Sequence, residues 1–599
     1  MPIKLEDKHQ VSEDKIWFKK WWPENVPHNI KFEEKSLNDL LDEQVEKYAS
    51  DNFIYFMDTW VTYKQFHDYV LSFATALANL NIRKGDVIAI HLPNSIQYVV
   101  SYFAIARIGA ISTGINPTYE PMEILHQFDI THAKVLIVQD KLFQEKIRPI
   151  IDKSTIGTVI YTNVADLAVG ISSWKRIIGK KMKEEKGGIP TGKVDYPIAL
   201  KFKNLIKTRP NVPKLEIDVK KDPITYKITG GTSGVPKAAV LTHFNVLSNA
   251  MQCKYWLGGE HPCLGSIGIL PLFHSFAHTA IMLTTLAMGG WMMLFAKPPT
   301  QAELCAKIEE LQCPEGLVYA GAEILFKRFS EFRDRKKYPS VMGKLKLCIS
   351  GAGPLHKEVR DKFIKYTKGN IVEGYGLTEA SPAVSVGNLF GESPVEVLGL
   401  PIPGTEWGIW PADDFSKGPI CLGNPNDDNF GEEHEGEICV HGPQVMLEYL
   451  DQPEETAETI KEYNGKLWLL TGDKGYMNKD GTIKIGDRKK QLIKYKGYSI
   501  YPREVEELIM KHEKIAEVAV AGLPHDEFGE IVKAWIELKP DSTLTPEEIT
   551  NWAKENITHY KRPQLIEIIQ SIPKNLVGKV RRRVLQVHDP MWIAKYGIK

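Results

Sequence analysis

The sequence predicts an α/β protein with a large N-terminal domain of helix-flanked sheets and a smaller C-terminal α/β domain. Three observations carry that reading. Short apolar runs (VIAIHL at 87–92, KVLIVQ at 134–139, GTVIYT at 157–162, WMMLFA at 291–296) alternate with amphipathic stretches such as SIQYVVSYFAIARIG at 95–109. That is the rhythm of strands and helices built round buried sheets. At 599 residues, 43% hydrophobic and 25% charged, the chain has a globular composition and the length of several domains or one very large one. After Asp487 the text turns from strand-and-turn sequence (GKLWLLTGDKGYMNKDGTIKIGD) to a Lys-rich linker and an apparent helix starting near Pro502. The remainder suffices for a small domain, so the expected division is 1–488 and 489–599.

Two stretches interrupt the rhythm. From Ile171 to Arg209 stand eleven Lys or Arg against three acidic residues, with Trp174, Ile177, Ile178 and Phe202 among them. A charge run of this kind is most often a solvated insertion; the alternative is a peripheral contact with an anionic membrane. His261 to Ala296 contains no Asp, Glu, Lys or Arg and exceeds the ~20 residues of a spanning helix. Yet LPLFHSFAHT places a proline and two histidines inside it, and a glycine pair breaks AMGGWMMLFA. The expectation is a buried strand, a loop, a helix and another buried strand.

Composition narrows the classes. Lys plus Arg equals Asp plus Glu at 75 each, so no overall field draws the chain to nucleic acid. Seven cysteines (Cys253, Cys263, Cys305, Cys313, Cys348, Cys421, Cys439) are scattered, odd in number and without a CxxC pair, which argues against a disulfide framework or zinc site and fits a reducing cytoplasm. The start MPIKLEDKHQ lacks the apolar core of a secretory signal, and the end YGIK is not the SKL address. A cytoplasmic protein is expected, monomeric or homodimeric.

The chemistry begins at Ile228 to His243, ITGGTSGVPKAAVLTH. Glycines that free backbone N–H groups, the hydroxyls of Thr229, Thr232 and Ser233, and the ammonium of Lys237 make a cradle for phosphate oxygens. It is not a P-loop, since Lys237 follows Pro236 and precedes Ala238. The same residue types also make ordinary turns. Four further stretches decide: EGYGLTEASP (373–382), LTGD (470–473), GDRKKQLIKYKGY (486–498) and IPKNLVGKVRR (572–582).

In this order the motifs resemble the adenylate-forming superfamily of acyl-CoA synthetases, firefly luciferases and peptide-synthetase adenylation domains, from about Leu37 to Arg582. LTEASP, GDRKKQLIKYKGY and the basic insertion look most like medium- and long-chain fatty acyl-CoA synthetases. The resemblance implies that a carboxylic acid attacks ATP to give an acyl adenylate and pyrophosphate, and that coenzyme A then displaces AMP. It also implies that the small domain is mobile. A carboxylate approaching a polyphosphate brings negative charge to negative charge, so such catalysis consists of positioned cations and donors.

On this resemblance, Thr229, Gly230, Gly231, Thr232, Ser233, Gly234 and Lys237 hold the β- and γ-phosphates. Thr378 reaches the α-phosphate and Glu379 holds Mg²⁺. Tyr375, within Glu373, Gly374, Tyr375 and Gly376, packs on adenine, while Gly351, Ala352 and Gly353 let the base lie close to backbone. Asp473, assisted by Arg488, takes the ribose hydroxyls, and His274 borders the acyl site or satisfies a buried carbonyl. Lys579, in the pattern PKxxxGK, bridges carboxylate and α-phosphate. Lys490 is the hinge whose rotation withdraws Lys579 and presents Lys494, Lys496, Gly497 and Tyr498 to the coenzyme A arm.

Gly230 stands where the family usually has a hydroxyl residue, Ala238 where it has glycine, and YAGAEILFKRF lacks a frequent proline. The absence of aspartate at position 274 argues against amino-acid substrates. Short, hydroxylated or aryl acids are the alternative substrates; a luciferase-like enzyme and a non-catalytic membrane-associated protein are the alternative functions.

Overall fold

The computed structural model describes residues 9–119, 121–182, 188–229, 237–488, 493–495, 498–500, 502–557, 559–575, 578 and 580–596. They pack as two compact units, one holding the chain to Glu13, Phe18–Glu406 and Val440–Leu469, the other Asp14–Trp17, Trp407–Cys439 and the chain from Leu470 onward.

Two sheets organise the first unit. In one, the parallel strands Ile111–Gly114, Val87–His91, Val135–Gln139 and Thr158–Thr162 lie side by side, and Pro223–Thr229, Lys237–Thr242 and Glu448–Tyr449 extend the edge next to Ile111–Gly114. In the other, Trp291–Leu294, Gly265–Gly268, Leu317–Gly321, Leu345–Ser350 and Asn370–Gly376 run parallel. The apolar runs read from the sequence are these strands, buried on both faces as parallel sheets require. The helix Ile96–Arg107 starts at Ser95, whose side chain accepts the Tyr98 N–H, and is buried at every position from Ile96 to Ala106; a helix apolar all round belongs in a core. Tyr63–Asn79 begins with a reciprocal cap between Thr62 and Gln65.

The uncharged segment 261–296 forms the strand Gly265–Gly268, a loop, helical turns from Ser275 to Met288 and the strand Trp291–Leu294. This is the expected order, and among the described residues no helix is long and apolar enough to cross a membrane. All seven cysteines are free.

In the second unit Trp17 is fully buried. A Cβ at Gly423 or Gly481 would stand 2.4 or 2.6 Å from Trp17 atoms, and both glycines have positive φ (67° and 82°), so only glycine fits there. The C-terminal part has its own sheet, in which Gly529–Leu538 pairs antiparallel with Ile515–His525 and parallel with Leu565–Ile568. The helices Pro502–Ile509 and Pro546–Asn556 cover it, with Val505, Ile509, Ile549 and Ala553 in its core. The helix expected near Pro502 is the first of these.

Candidate active site

The expected phosphate loop starts and ends at described residues. Thr229 closes one strand, Lys237 opens the next, and the two are opposite each other across an antiparallel pair. Gly230, Gly231, Thr232, Ser233 and Gly234 lie outside the described residues. The Lys237 side chain is buried, with its ammonium paired to Glu455 and 5.2 Å from the centroid of the Tyr449 ring, within cation–π range.

Tyr449 arrives there because Glu448–Tyr449 pairs with Val240 and Ala239. Its hydroxyl donates to Glu379 Oε1 at 2.8 Å, and the Met446 N–H donates to the Glu379 carbonyl at 2.7 Å. Burial and the Glu379 carboxylate push the phenol far up, so it remains a donor at neutral pH. One aromatic ring thus joins the candidate phosphate lysine to the candidate metal carboxylate. Among the described residues only Tyr449 reaches that carboxylate. The second carboxylate oxygen has no hydrogen-bond partner among the described residues, and a single carboxylate is the kind of hard ligand Mg²⁺ takes together with phosphate oxygens and water. No group of three or more His, Cys, Asp or Glu among the described residues forms a metal cage.

Glu373 to Gly376 end the strand Asn370–Gly376, with Glu373 beside Ser350 of the neighbouring strand. The Leu355 N–H donates to Glu373 Oε2 at 3.2 Å, tying the loop that carries Gly351, Ala352 and Gly353 to the end of that strand. Tyr375 is half-buried opposite Ser385. At Gly376 a Cβ would lie 2.1 Å from the Pro382 carbonyl oxygen, so any side chain would displace the turn that presents Thr378. The candidate adenine wall is therefore assembled as one piece.

Thr378 Oγ1 lies 3.1 Å from Ser275 Oγ. His274 is the N-cap of the turn Ser275–Ala277, and its Nδ1 accepts the Phe276 N–H at 3.3 Å. The ring thus caps a helical turn and does not satisfy a carbonyl through that nitrogen. Both residues line a cavity with Asn116, Gln127, Lys227 and Phe273. Lys227 donates to the Phe273 carbonyl at 3.1 Å, and burial lowers its pKa to about 7.

In the second unit Asp473 is 2% exposed and stands opposite Arg488 across antiparallel strands. Its N–H donates to Thr471 Oγ1 at 3.1 Å, and the Gly472 N–H donates to Glu437 Oε1 at 2.9 Å. The two residues assigned to the ribose are therefore neighbours in the sheet. Lys494 lies on the strand Ile493–Tyr495; Lys490, Lys496, Gly497 and Lys579 lie outside the described residues.

Sequence reasoning missed Tyr449, Glu455, Ser275 and Lys227. GPQVMLEYLDQPEET carries no chemical motif, and Tyr449 comes beside Lys237 through its pairing with Ala239 and beside Glu379 through a hydrogen bond spanning 70 residues of sequence. Lys227 stands inside PITYKIT, where alternation with threonines gives no sign that the lysine is buried.

The AMP-binding enzyme family matches residues 41–450, and the AMP-binding enzyme C-terminal domain matches residues 504–579. A long-chain-fatty-acid–CoA ligase of Bacillus subtilis (strain 168) is 33% identical over 584 residues, covering 96% of this chain and 98% of its own. Among solved structures, a benzoate CoA ligase from Burkholderia xenovorans LB400 superposes with a TM-score of 0.74 at 19% identity, covering 92% of this chain and 100% of its own. ATP-bound MatB from Rhodopseudomonas palustris superposes with a TM-score of 0.71 at 21% identity, covering 93% and 99%. These two likenesses are of fold.

Proposed function

The chain belongs to the AMP-binding enzyme family, and from that premise we propose that it is an AMP-forming acid–thiol ligase. It activates a medium- to long-chain fatty acid with ATP and passes the acyl group to coenzyme A. The observation that carries the reading is the Lys237–Tyr449–Glu379 linkage, with Thr378 one residue from Glu379 at the edge of a cavity. It supplies a cation, a carboxylate and a hydroxyl in the combination that joining two anions needs.

In the first step Lys237 exchanges Glu455 for the β- and γ-phosphates, helped by backbone and hydroxyl donors of residues 229–234. Thr378 donates to the α-phosphate, and Glu379, held by Tyr449, would hold the metal. A Mg²⁺ ion held there would neutralise phosphate charge. Tyr375 and Gly351–Gly353 receive the base, and Asp473 with Arg488 the ribose. Lys579 places positive charge between the acid and the α-phosphate. The small domain, 489–599, then turns about Lys490, removing Lys579 and bringing Lys494 and Gly497 to the pantetheine arm.

The similarity to a long-chain-fatty-acid–CoA ligase and the LTEASP context support the fatty acid. A short, hydroxylated or aryl acid is the second reading, favoured by the polar side chains Asn116, Gln127 and Lys227 on the cavity wall. Each buried methylene contributes only ~0.8 kcal/mol, so chain length leaves no motif and must be measured. AMP release with coenzyme A across straight-chain acids from C2 to C18 and benzoate should peak among the medium and long chains. A peak at acetate or benzoate moves the substrate class.

For the segment 171–209, which the sequence reads first as a solvated insertion, we propose the alternative of a peripheral contact with anionic lipid. Its helix Ser173–Lys181 ends in Lys180 and Lys181 and exposes Trp174 (71%) and Ile177 (53%), the apolar and basic pair that interfacial helices use. Co-sedimentation with phosphatidylglycerol vesicles, lost in Trp174→Ala, is expected; equal sedimentation of both proteins removes the assignment.

A further inference from the structure

Lys227 sits where a lysine is costly. It is 3% exposed, on the strand that leads into Thr229, and it is one of the residues that line the cavity shared by His274, Ser275 and Thr378. Its hydrogen-bond partner among the described residues is the Phe273 carbonyl, which engages one of three N–H donors. No carboxylate among the described residues pairs with it, and burial alone lowers its pKa. Natural chains rarely bury a cation without a counter-ion, so the missing anion is the observation to explain.

We propose that Lys227 is the anion-receiving residue of this cavity, and that its ligand is the carboxylate of the acid to be activated. The proposal rests on the ligase reading above and adds a residue that contacts the substrate. Asn116, Ser275 and Thr378 on the cavity wall bring no charge, and the Gln127 amide already donates to Thr113 Oγ1 and the Gly114 carbonyl, so Lys227 is the cation the described wall offers a carboxylate. The hydrogen bond to Phe273 also holds the loop that presents His274 and Ser275, so arrival of the acid is felt at the residues next to Thr378.

The groups facing Lys227 leave its charge uncompensated. His278, on the turn His278–Leu283, is kept neutral by burial and pushed further down by the Lys227 charge. Tyr102 packs edge-on against His278 at 4.7 Å, and the Tyr98 hydroxyl lies by Phe273 against Gly114; burial raises both phenols far above neutrality. His274 and Tyr119 stand on the cavity wall, and Glu123 and His126 line a neighbouring cavity beside Ile228. With a pKa of about 7, the amine is mostly neutral at pH 8 and takes up a proton when a carboxylate becomes its partner.

The test is calorimetric titration of decanoate and, separately, of ATP into the intact protein at pH 8, in two buffers of different ionisation enthalpy. It is run on the wild type and on Lys227→Gln. The amide keeps a donor for the Phe273 carbonyl and removes the charge, separating an anion receiver from a merely structural loop support. Wild type should take up about one proton per decanoate bound. Lys227→Gln should take up none, bind decanoate roughly 10- to 100-fold more weakly and bind ATP as wild type does. Decanoate binding unchanged in Lys227→Gln, equal weakening of ATP, or no proton uptake by the wild type overturns the proposal. The last outcome is read without a variant, so a poorly folding Lys227→Gln does not shield it. If the wild type binds no acid from C2 to C18, the ligase reading falls as well; acid binding without proton uptake sinks this inference alone.

Discussion

Replacing Lys227 with methionine tests the physics of the buried amine independently of any ligand. The side chain is similar in length and apolar, so the cavity wall is kept while the ionisable group is lost. In the unfolded chain the lysine titrates near 10.5, in the folded protein near 7. Each pH unit between the two corresponds to about 1.4 kcal/mol. Between those values the unfolded state binds more protons, so wild-type stability rises with pH across this window; below pH 7 the full penalty, roughly 5 kcal/mol, is present, and it fades towards pH 10.5. Against this, methionine leaves the Phe273 carbonyl without its donor, which costs about 1–3 kcal/mol. Lys227→Met should therefore be more stable than wild type at pH 6.5 by about 2–4 kcal/mol and less stable at pH 10. The assay is calorimetric melting of both proteins at the two pH values, following the transition that carries the first unit, and the predicted signature is a change of sign in the Tm difference. A difference of constant sign and size would show that the amine titrates as an ordinary solvated lysine, and the argument from burial would fail.

Lys579→Ala should abolish acyl-adenylate formation by on the order of 10²-fold or more while sparing thioester formation from supplied acyl-AMP; equal loss of both half-reactions refutes its assignment. Glu379→Gln should raise the Mg²⁺ concentration needed for half-maximal adenylation, because an amide is a poor ligand for a hard cation. Tyr449→Phe should move the same quantity roughly tenfold, the worth of a hydrogen bond to a charged group; unchanged metal dependence in both variants removes the pair from the site. Lys490→Pro fixes φ and deletes an N–H. It should keep much of the adenylation rate and lose thioester formation in single-turnover kinetics, a split that general destabilisation does not produce.

Much of this architecture is legible because it is local. VIAIHL, KVLIVQ and WMMLFA are strands in the structure, and the proline, histidines and glycine pair of 261–296 break that segment into strand, loop, helix and strand. LTEASP singles out Thr378 and Glu379 as candidates, and the structure places both on one short turn. What holds Glu379 was not readable. Tyr449 meets it through strand pairing between distant parts of the chain, and Glu455 finds Lys237 through the same pairing; a single sequence records which residues can pair, not which distant ones do. Lys227 was hidden for another reason. A lysine in a strand reads as a solvent-facing position, and only its burial and its hydrogen bond to the Phe273 carbonyl reveal it as an interior amine.

The central claim is that this chain joins a carboxylate to the α-phosphate of ATP. Exchange of labelled pyrophosphate into ATP, measured with Mg²⁺ and without coenzyme A, tests that step alone. Exchange that appears only when a fatty acid such as decanoate is added, and that vanishes in Lys579→Ala, is the predicted result. Exchange absent with every acid from C2 to C18 and with benzoate, in protein that binds ATP, would contradict the account.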